Sequence, residues 1–167
     1  MDTTKTEEQF KRVMDECRTL FAKKLHDYGA SWRILRPSSL TDQLFIKAKR
    51  IRSLETTGTS LVGEGIRPEF IALINYGIIG LIQIEKGFVD TVDITPDKAL
   101  ALYDVHAKEC LELMLRKNHD YNEAWRDMRI SSYTDFILTK IQRIKEIEGL
   151  DGKTLVSEGI DSNYMDI

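Results

Sequence analysis

The chain has 167 residues, with 24 Lys and Arg against 27 Asp and Glu, and a net charge of −3. This balance argues against a general nucleic-acid binder, because such a protein presents a basic surface to the phosphate backbone. The first residues show no signal-peptide pattern. The longest apolar run, 70–84, is shorter than the ~20 residues of a membrane span. These features predict a cytoplasmic protein that does not insert into a membrane.

The first predicted element is an amphipathic helix over 6–27, where apolar side chains recur every three and four residues. Gly29 is expected to end it, because glycine readily adopts the left-handed conformation of a helix stop. A loop follows. A second helix is predicted over about 38–55, with Ser38 or Ser39 as its cap.

The third predicted helix runs from Pro68 to about Lys86, with proline in its first turn, where the missing N–H costs nothing. It is apolar nearly all round, so we expect it to pass through the middle of a bundle. Asn75 lies within it and must find hydrogen-bond partners there, since a buried unpaired amide costs about 1–3 kcal/mol. Gly87 should close this helix.

Thr95 and Pro96 form a helix start, with a threonine cap and proline at the first position. A fourth helix is predicted over 96–119 and a fifth over about 132–148, with a loop between them. No segment alternates with a period of two for long enough to predict a strand. The fold class is therefore all-α.

A repeated stretch organises the chain. Residues 24–33, Lys-Leu-His-Asp-Tyr-Gly-Ala-Ser-Trp-Arg, return at 117–126 as Lys-Asn-His-Asp-Tyr-Asn-Glu-Ala-Trp-Arg. Aligning 17–55 with 110–148 gives 17 identities in 39 positions without a gap. Such similarity at a fixed separation indicates a tandem duplication.

The two copies are assigned to 1–92 and 93–167, and we expect them to pack as one globular unit around a pseudo-twofold axis. Copy two reaches Ile167 where its own third helix should begin. The apolar surface which that helix would cover must be buried another way, since large exposed apolar patches are uncommon. The two interpretations are a truncated chain and a face closed by another subunit, which makes a homodimer a possible assembly.

Two pairs of cations occupy equivalent positions. Lys47 and Arg50 are three residues apart on the second helix, and Lys140 and Arg143 repeat them on the fifth. Since residues at this spacing point the same way, each pair suits a polyphosphate. The alternative is a solvated or salt-bridged surface.

The best acidic cluster is Glu158, Asp161 and Asp166, which could line one helix face in copy two. Converging carboxylates are ligands that Mg²⁺ prefers. For Glu158 and Asp161 the alternative is that they complement the dipole at a helix N-terminus. Copy one keeps only Glu64, with Ala72 in place of Asp166, so copy two would supply most ligands of any metal.

The repeated stretch offers further candidates. His119 could act as a base or a metal ligand, or could cap its helix. Asp27 and Asp120 could bind cations or substrate hydroxyls. Trp32 and Trp125 could stack a nucleotide base or seal the edge of the core.

In order and spacing, these residues resemble the nucleotide-modification-associated domain family. Its pattern of Lys-x-x-Asp-Tyr-Gly, an aromatic residue, Lys-x-x-Arg and Glu-Ser-Ile followed by Asn-Tyr is similar to residues of both copies. The residues that carry the resemblance are 24–29, Trp32, Lys47, Arg50, 64–66 and 74–76 in copy one, and 117–121, Trp125, Lys140, Arg143, 158–160 and Asp166 in copy two. Copy one departs from the pattern at Pro68 and Ala72, and copy two at Ser162, where acids are expected.

The helical order also resembles the all-α nucleotide pyrophosphohydrolases of the MazG type, although only Glu158-x-x-Asp161 matches their acidic motifs. This resemblance implies a Mg²⁺-dependent enzyme that splits a nucleoside triphosphate. The base of that substrate could be a modified one. We would then expect Glu158 and Asp120 to be catalytic, Mg²⁺ to bind Glu158, Asp161 and Asp166, and the substrate to contact the other candidates. The alternative is a nucleotide-binding or accessory protein of nucleotide modification that does not hydrolyse its ligand. The residues proposed for substrate contact are Lys47, Arg50, Lys140, Arg143, Trp32, Trp125, His119 and Asp27.

Overall fold

The computed structural model of the chain describes residues 4–58, 65–155 and 158–167, and these ranges contain helices and no β-strand. The all-α prediction is therefore confirmed for the part of the chain that the structure describes. The helices are α1 (Thr4–Tyr28), α2 (Pro37–Thr57), α3 (Arg67–Lys86), α4 (Pro96–Tyr121), α5 (Ile130–Gly149) and α6 (Ile160–Asp166), with 3₁₀ helices at Ser31–Ile34 and Ala124–Asp127.

Several helix ends follow local sequence. Gly29 ends α1 with φ of 68°, and Gly87 ends α3 with φ of 76°, as predicted. The hydroxyl of Thr95 accepts a hydrogen bond from the N–H of Lys98 at 3.2 Å, which confirms the predicted cap of α4.

The prediction that Ser38 or Ser39 caps the second helix is wrong. Helix α2 begins at Pro37, and the cap position is Arg36, which is extended and makes no side-chain cap hydrogen bond. Proline is suited to the first helical position because its φ is already helical. The helix therefore starts before either serine is reached.

Helix α3 packs against α1, α2, α4 and α6, which confirms its predicted central place. Asn75 is buried and finds the partners that burial requires: its Nδ2 donates to the carbonyl of Cys17 at 3.1 Å, and its Oδ1 accepts from Tyr103 at 2.8 Å. Within the described ranges no helix, α3 included, is long and apolar enough to cross a membrane.

Each helix of copy one contacts its counterpart in copy two: α1 packs on α4, α2 on α5, and α3 on α6. Two hydrogen bonds cross the α2–α5 contact reciprocally. Thr41 donates to Glu148 at 2.5 Å, and Thr134, the equivalent of Thr41, donates to Glu55 at 2.6 Å. A pseudo-twofold axis between the copies would require such reciprocal contacts. The axis itself stays a prediction.

A tyrosine seats α6 on α3. A Cβ placed on Gly80 would lie 2.3 Å from the Tyr164 ring, so only glycine leaves room for it. The hydroxyl of Tyr164 is hydrogen-bonded to that of Thr41 at 3.0 Å, and burial raises the pKa of Tyr164 to about 12. This contact fixes the position of the last described helix.

Candidate functional site

A cleft of about 430 Å³ lies between α1, α2 and α3 in copy one. We call it the Trp32 cleft. It combines cations, a carboxylate and aromatic rings. Its lining includes Lys24, Tyr28, Trp32, Lys47, Arg50, Pro68, Glu69, Ala72, Asn75, Tyr76 and Ile79.

An ion-pair cluster occupies one side of the Trp32 cleft. The three-residue spacing on α2 points Lys47 and Arg50 the same way, towards Glu69 in the first turn of α3. Arg50 Nη1 lies 2.6 Å from Glu69 Oε1, and Lys47 Nζ lies 3.5 Å from Glu69 Oε2. With Lys24 also lining the cleft, its described charged residues are three cations and one carboxylate.

Two buried polar atoms of the cleft make no hydrogen bond within the described chain: Nε1 of Trp32 and Oε2 of Glu69. The two side chains are 8% and 3% exposed. An unpaired buried polar group costs about 1–3 kcal/mol, so native structures rarely leave one without a partner. A residue with an unsatisfied donor and one with an unsatisfied acceptor thus line the same cleft.

The aromatic residues of this cleft differ in accessibility. Trp32 packs against Phe21, with ring centroids 6.1 Å apart, and belongs to the buried core. Tyr28 is 58% exposed, and burial of part of its ring raises its pKa, with Tyr76 and Asp27 adding to the effect. Trp32 therefore seals the core edge, whereas Tyr28 offers an open ring face.

A larger cleft of about 740 Å³ lies between α1, α3, α4 and α6, and we call it the Trp125 cleft. It is mainly apolar and includes Ile167. The sequence predicted an uncovered apolar surface in this part of copy two, where its third helix begins. The predicted homodimer stays a prediction. The lining includes Phe10, Val13, Met14, Ile74, Ile78, Leu81, Leu113, Met114, Lys117, Asn118, Trp125, Arg126, Tyr133, Met165, Asp166 and Ile167.

Polar groups beside the Trp125 cleft are paired with one another. Asp166 contacts Lys117 at 2.6 Å and Lys140 at 2.8 Å. Burial alone would raise the pKa of Asp166, but the hydrogen bonds from both lysines outweigh it and lower the pKa overall. Trp125 Nε1 donates to Asn118 Oδ1 at 2.9 Å. The Arg126 guanidinium lies over the Trp125 ring, 4.4 Å from the ring centroid.

The residues predicted to hold Mg²⁺ are not brought together. Within the described ranges, no group of three or more His, Cys, Asp or Glu side chains could hold a metal ion. Glu158 and Asp161 are exposed, Asp166 is held by lysines, and Glu64 lies outside the described residues. The metal site therefore stays a prediction.

Other candidates lie away from both clefts. His119 and Asp120 are 88% and 72% exposed at the end of α4, with Nδ1 and Oδ1 3.2 Å apart. Asp27 is 70% exposed beside His26 at the end of α1. Arg143 is exposed on α5. The structure brings none of these four predicted residues into the lining of either cleft.

Sequence analysis did not single out Lys24, Tyr28 or Glu69 as site residues. The first two are repeated as Lys117 and Tyr121, so repetition was an available signal. Glu69 had no such signal, because copy two has Asn163 at that position. Its role follows only from the packing of α3 against α2.

The model of one family, described as nucleotide modification associated domain 1, matches the chain over residues 24–84 and 117–167. The two matched segments correspond to the two copies. A search of curated proteins found no match, and a search of solved structures found none either.

Proposed function

The chain belongs to the nucleotide modification associated domain 1 family, and on that premise we propose that it binds a phosphorylated nucleotide in the Trp32 cleft without hydrolysing it. Its role would be that of a nucleotide-binding or accessory protein of nucleotide modification. The family description directs attention to nucleotides, and the residues of the cleft supply the chemistry for binding one.

The observation that carries the proposal is the convergence of Lys24, Lys47 and Arg50 in one cleft with aromatic rings. Ammonium and guanidinium groups bind phosphate oxygens through charge-assisted hydrogen bonds. Glu69 holds Lys47 and Arg50 in place, which limits the side-chain entropy lost when a ligand binds.

The dimensions and aromatic content of the cleft are also compatible with a nucleotide. Its volume of about 430 Å³ lies in the range of about 300–1,000 Å³ common for small-molecule sites. Tyr28 presents an accessible ring on which a base can stack, while the cations donate hydrogen bonds to the phosphates. The arrangement supports binding better than hydrolysis, because the carboxylates predicted for hydrolysis lie elsewhere and Asp166 is already paired.

Isothermal titration calorimetry with a panel of ribo- and deoxyribonucleoside mono-, di- and triphosphates would test the proposal. In EDTA, we expect at least one nucleotide to bind with micromolar affinity, and the affinity to fall with added salt as phosphate contacts are screened. In parallel, release of phosphate and pyrophosphate is measured with Mg²⁺ and with Mn²⁺, and we expect none.

Each outcome has a defined meaning. If no nucleotide binds with or without metal, the proposal is wrong. Release of pyrophosphate from a nucleoside triphosphate would replace it with the pyrophosphohydrolase function that the MazG resemblance implies. Binding that requires Mg²⁺ and is lost in Asp166→Asn would restore the predicted metal site.

A further inference from the structure

We propose that Trp32 and Glu69 determine specificity by recognising the nucleoside part of the ligand, while the cations bind its phosphates. Trp32 Nε1 donates a hydrogen bond to an acceptor on the ligand. Glu69 Oε2 accepts one from a ligand amino, imino or hydroxyl group. This inference rests on the proposed nucleotide function and adds which chemical groups the ligand must carry.

The first observation concerns the two equivalent tryptophans. Trp125 Nε1 is satisfied within the chain by Asn118 at 2.9 Å, whereas Trp32 Nε1 is buried without a hydrogen-bond partner in the described chain. The position equivalent to Asn118 in copy one is Leu25, whose side chain has no acceptor. The indole N–H of copy two is therefore satisfied within the chain, whereas the equivalent N–H of copy one is left to donate to a ligand.

The second observation concerns the two oxygens of Glu69. Oε1 is 2.6 Å from Arg50, whereas Oε2 forms an ion pair with Lys47 at 3.5 Å and makes no hydrogen bond among the residues that the structure describes. A carboxylate only accepts hydrogen bonds and repels phosphate. The ligand group that meets Oε2 must therefore be a donor.

The equivalent position in copy two again differs. Asn163 is buried but satisfied, because its Nδ2 donates to the carbonyl of Gly159 at 2.9 Å. Trp32 Nε1 and Glu69 Oε2, which lack a hydrogen-bond partner within the described chain, thus both belong to residues of the Trp32 cleft. Inorganic polyphosphate offers mainly acceptors, with at most a terminal P–OH as donor, whereas a nucleoside offers several donors and acceptors.

The test compares inorganic tripolyphosphate with ATP, GTP, CTP, UTP and dTTP by calorimetry in EDTA. We expect at least one nucleoside triphosphate to bind at least about tenfold more tightly than tripolyphosphate, since losing a partner for a buried polar group has an effect of this order. Trp32→Phe keeps an aromatic ring without the N–H, and Glu69→Gln removes the carboxylate. Each variant should reduce the preference severalfold.

Leu25→Asn tests the same idea without changing either recognition residue. Asparagine at this position copies the arrangement of Asn118 and should satisfy Trp32 Nε1 from within, which lowers the preference for the nucleoside triphosphate. Asn118→Leu is the matched control in the other copy and should leave that preference unchanged. Thermal unfolding of each variant checks that it folds. If Leu25→Asn does not fold, Trp32→Phe alone tests whether the indole N–H contributes to the preference.

The outcomes separate this inference from the function on which it rests. If neither tripolyphosphate nor any nucleotide binds, both are overturned. If the wild type binds tripolyphosphate and nucleoside triphosphates equally, the phosphate site stands and the recognition by Trp32 and Glu69 is wrong. It is also wrong if the preference exists but survives intact in Trp32→Phe and Glu69→Gln.

Discussion

The Trp32 and Trp125 clefts use equivalent positions of the two copies, but their polar groups are arranged in opposite ways. Beside the Trp125 cleft, Asn118 satisfies the indole and Asp166 holds two lysines. In the Trp32 cleft the corresponding positions are Leu25 and Ala72. Leu25 cannot accept a hydrogen bond from the indole, and Ala72 cannot pair with a lysine. Beside the Trp125 cleft these polar groups satisfy one another, while in the Trp32 cleft Nε1 of Trp32 and Oε2 of Glu69 make no hydrogen bond within the described chain.

The carboxylate of each copy explains part of this difference. In copy two it is Asp166, in the last turn of α6. In copy one it is Glu69, three residues earlier when the copies are aligned. Glu69 therefore meets the second-helix cations Lys47 and Arg50, whereas Asp166 also reaches Lys117 from the preceding helix. A shift of less than one helical turn decides which lysine is paired, so a duplicated fold can keep its packing while its sites diverge.

The largest effect is expected at the contact that seats α6 and borders the Trp125 cleft. Gly80→Ala places a methyl group 2.3 Å from the Tyr164 ring, and that ring is held by Thr41. Overpacking of this kind costs about 2–3 kcal/mol. Urea denaturation should show this loss of stability. Nucleotide affinity, measured where the variant is folded, should not change, because neither Gly80 nor Tyr164 lines the Trp32 cleft.

Gly77→Ala is the matched control for that variant. Its added Cβ would meet only the backbone oxygen of Tyr164, at 3.8 Å, an ordinary contact. Since alanine is favoured over glycine within a helix by up to about 1 kcal/mol, this substitution should be neutral or stabilising. Equal losses of stability in both variants would contradict the close fit at Gly80.

The second effect in size concerns equivalent lysines. Lys47→Ala should weaken nucleotide binding about 10- to 150-fold, because a hydrogen bond from a charged group to phosphate is worth about 1.5–3 kcal/mol. Lys140→Ala, the same change in copy two, should leave the affinity within about twofold, since Lys140 does not line the Trp32 cleft. Calorimetry on the two variants measures this directly. Equal losses would show that both copies bind ligand and would remove the distinction between the clefts.

Sequence patterns predicted the fold well because the signals were local. Apolar periodicity located the helices, and Gly29 and Thr95 marked ends that depend on one residue's own conformation or hydroxyl. The same patterns did not bring out Glu69, whose importance depends on how α3 lies against α2. They also grouped Glu158, Asp161 and Asp166 on one face, without the lysines that hold Asp166 from α4 and α5.

The stability of the fold as a function of pH tests the ion pairs that Asp166 makes with Lys117 and Lys140. Asp166 is 11% exposed, and its pKa is held below the ordinary value of 3.8. A carboxyl with a lowered pKa stabilises the fold above its unfolded pKa and loses that contribution as pH falls through the folded pKa. Asp166→Asn should therefore cost about 1–2 kcal/mol at pH 7 in urea unfolding.

The pH dependence of that loss is the decisive part. The difference between wild type and Asp166→Asn should be constant above about pH 5 and shrink as pH falls below about 4. Asp161→Asn serves as a control, because Asp161 is exposed in the first turn of α6 and should cost at most about 1 kcal/mol. A difference for Asp166→Asn that was undiminished at pH 3 would contradict its ion pairs with the lysines.

The smallest expected effect distinguishes two threonines that are equivalent in sequence. Thr134 serves Glu55, whereas Thr41 serves both Glu148 and the buried hydroxyl of Tyr164. Thr41→Val should therefore be more destabilising than Thr134→Val by about 0.5–1 kcal/mol, because it leaves a second polar group without its partner. Paired urea titrations resolve a difference of this size when both variants unfold with the same slope. Equal losses would mean that Tyr164 gains nothing from Thr41.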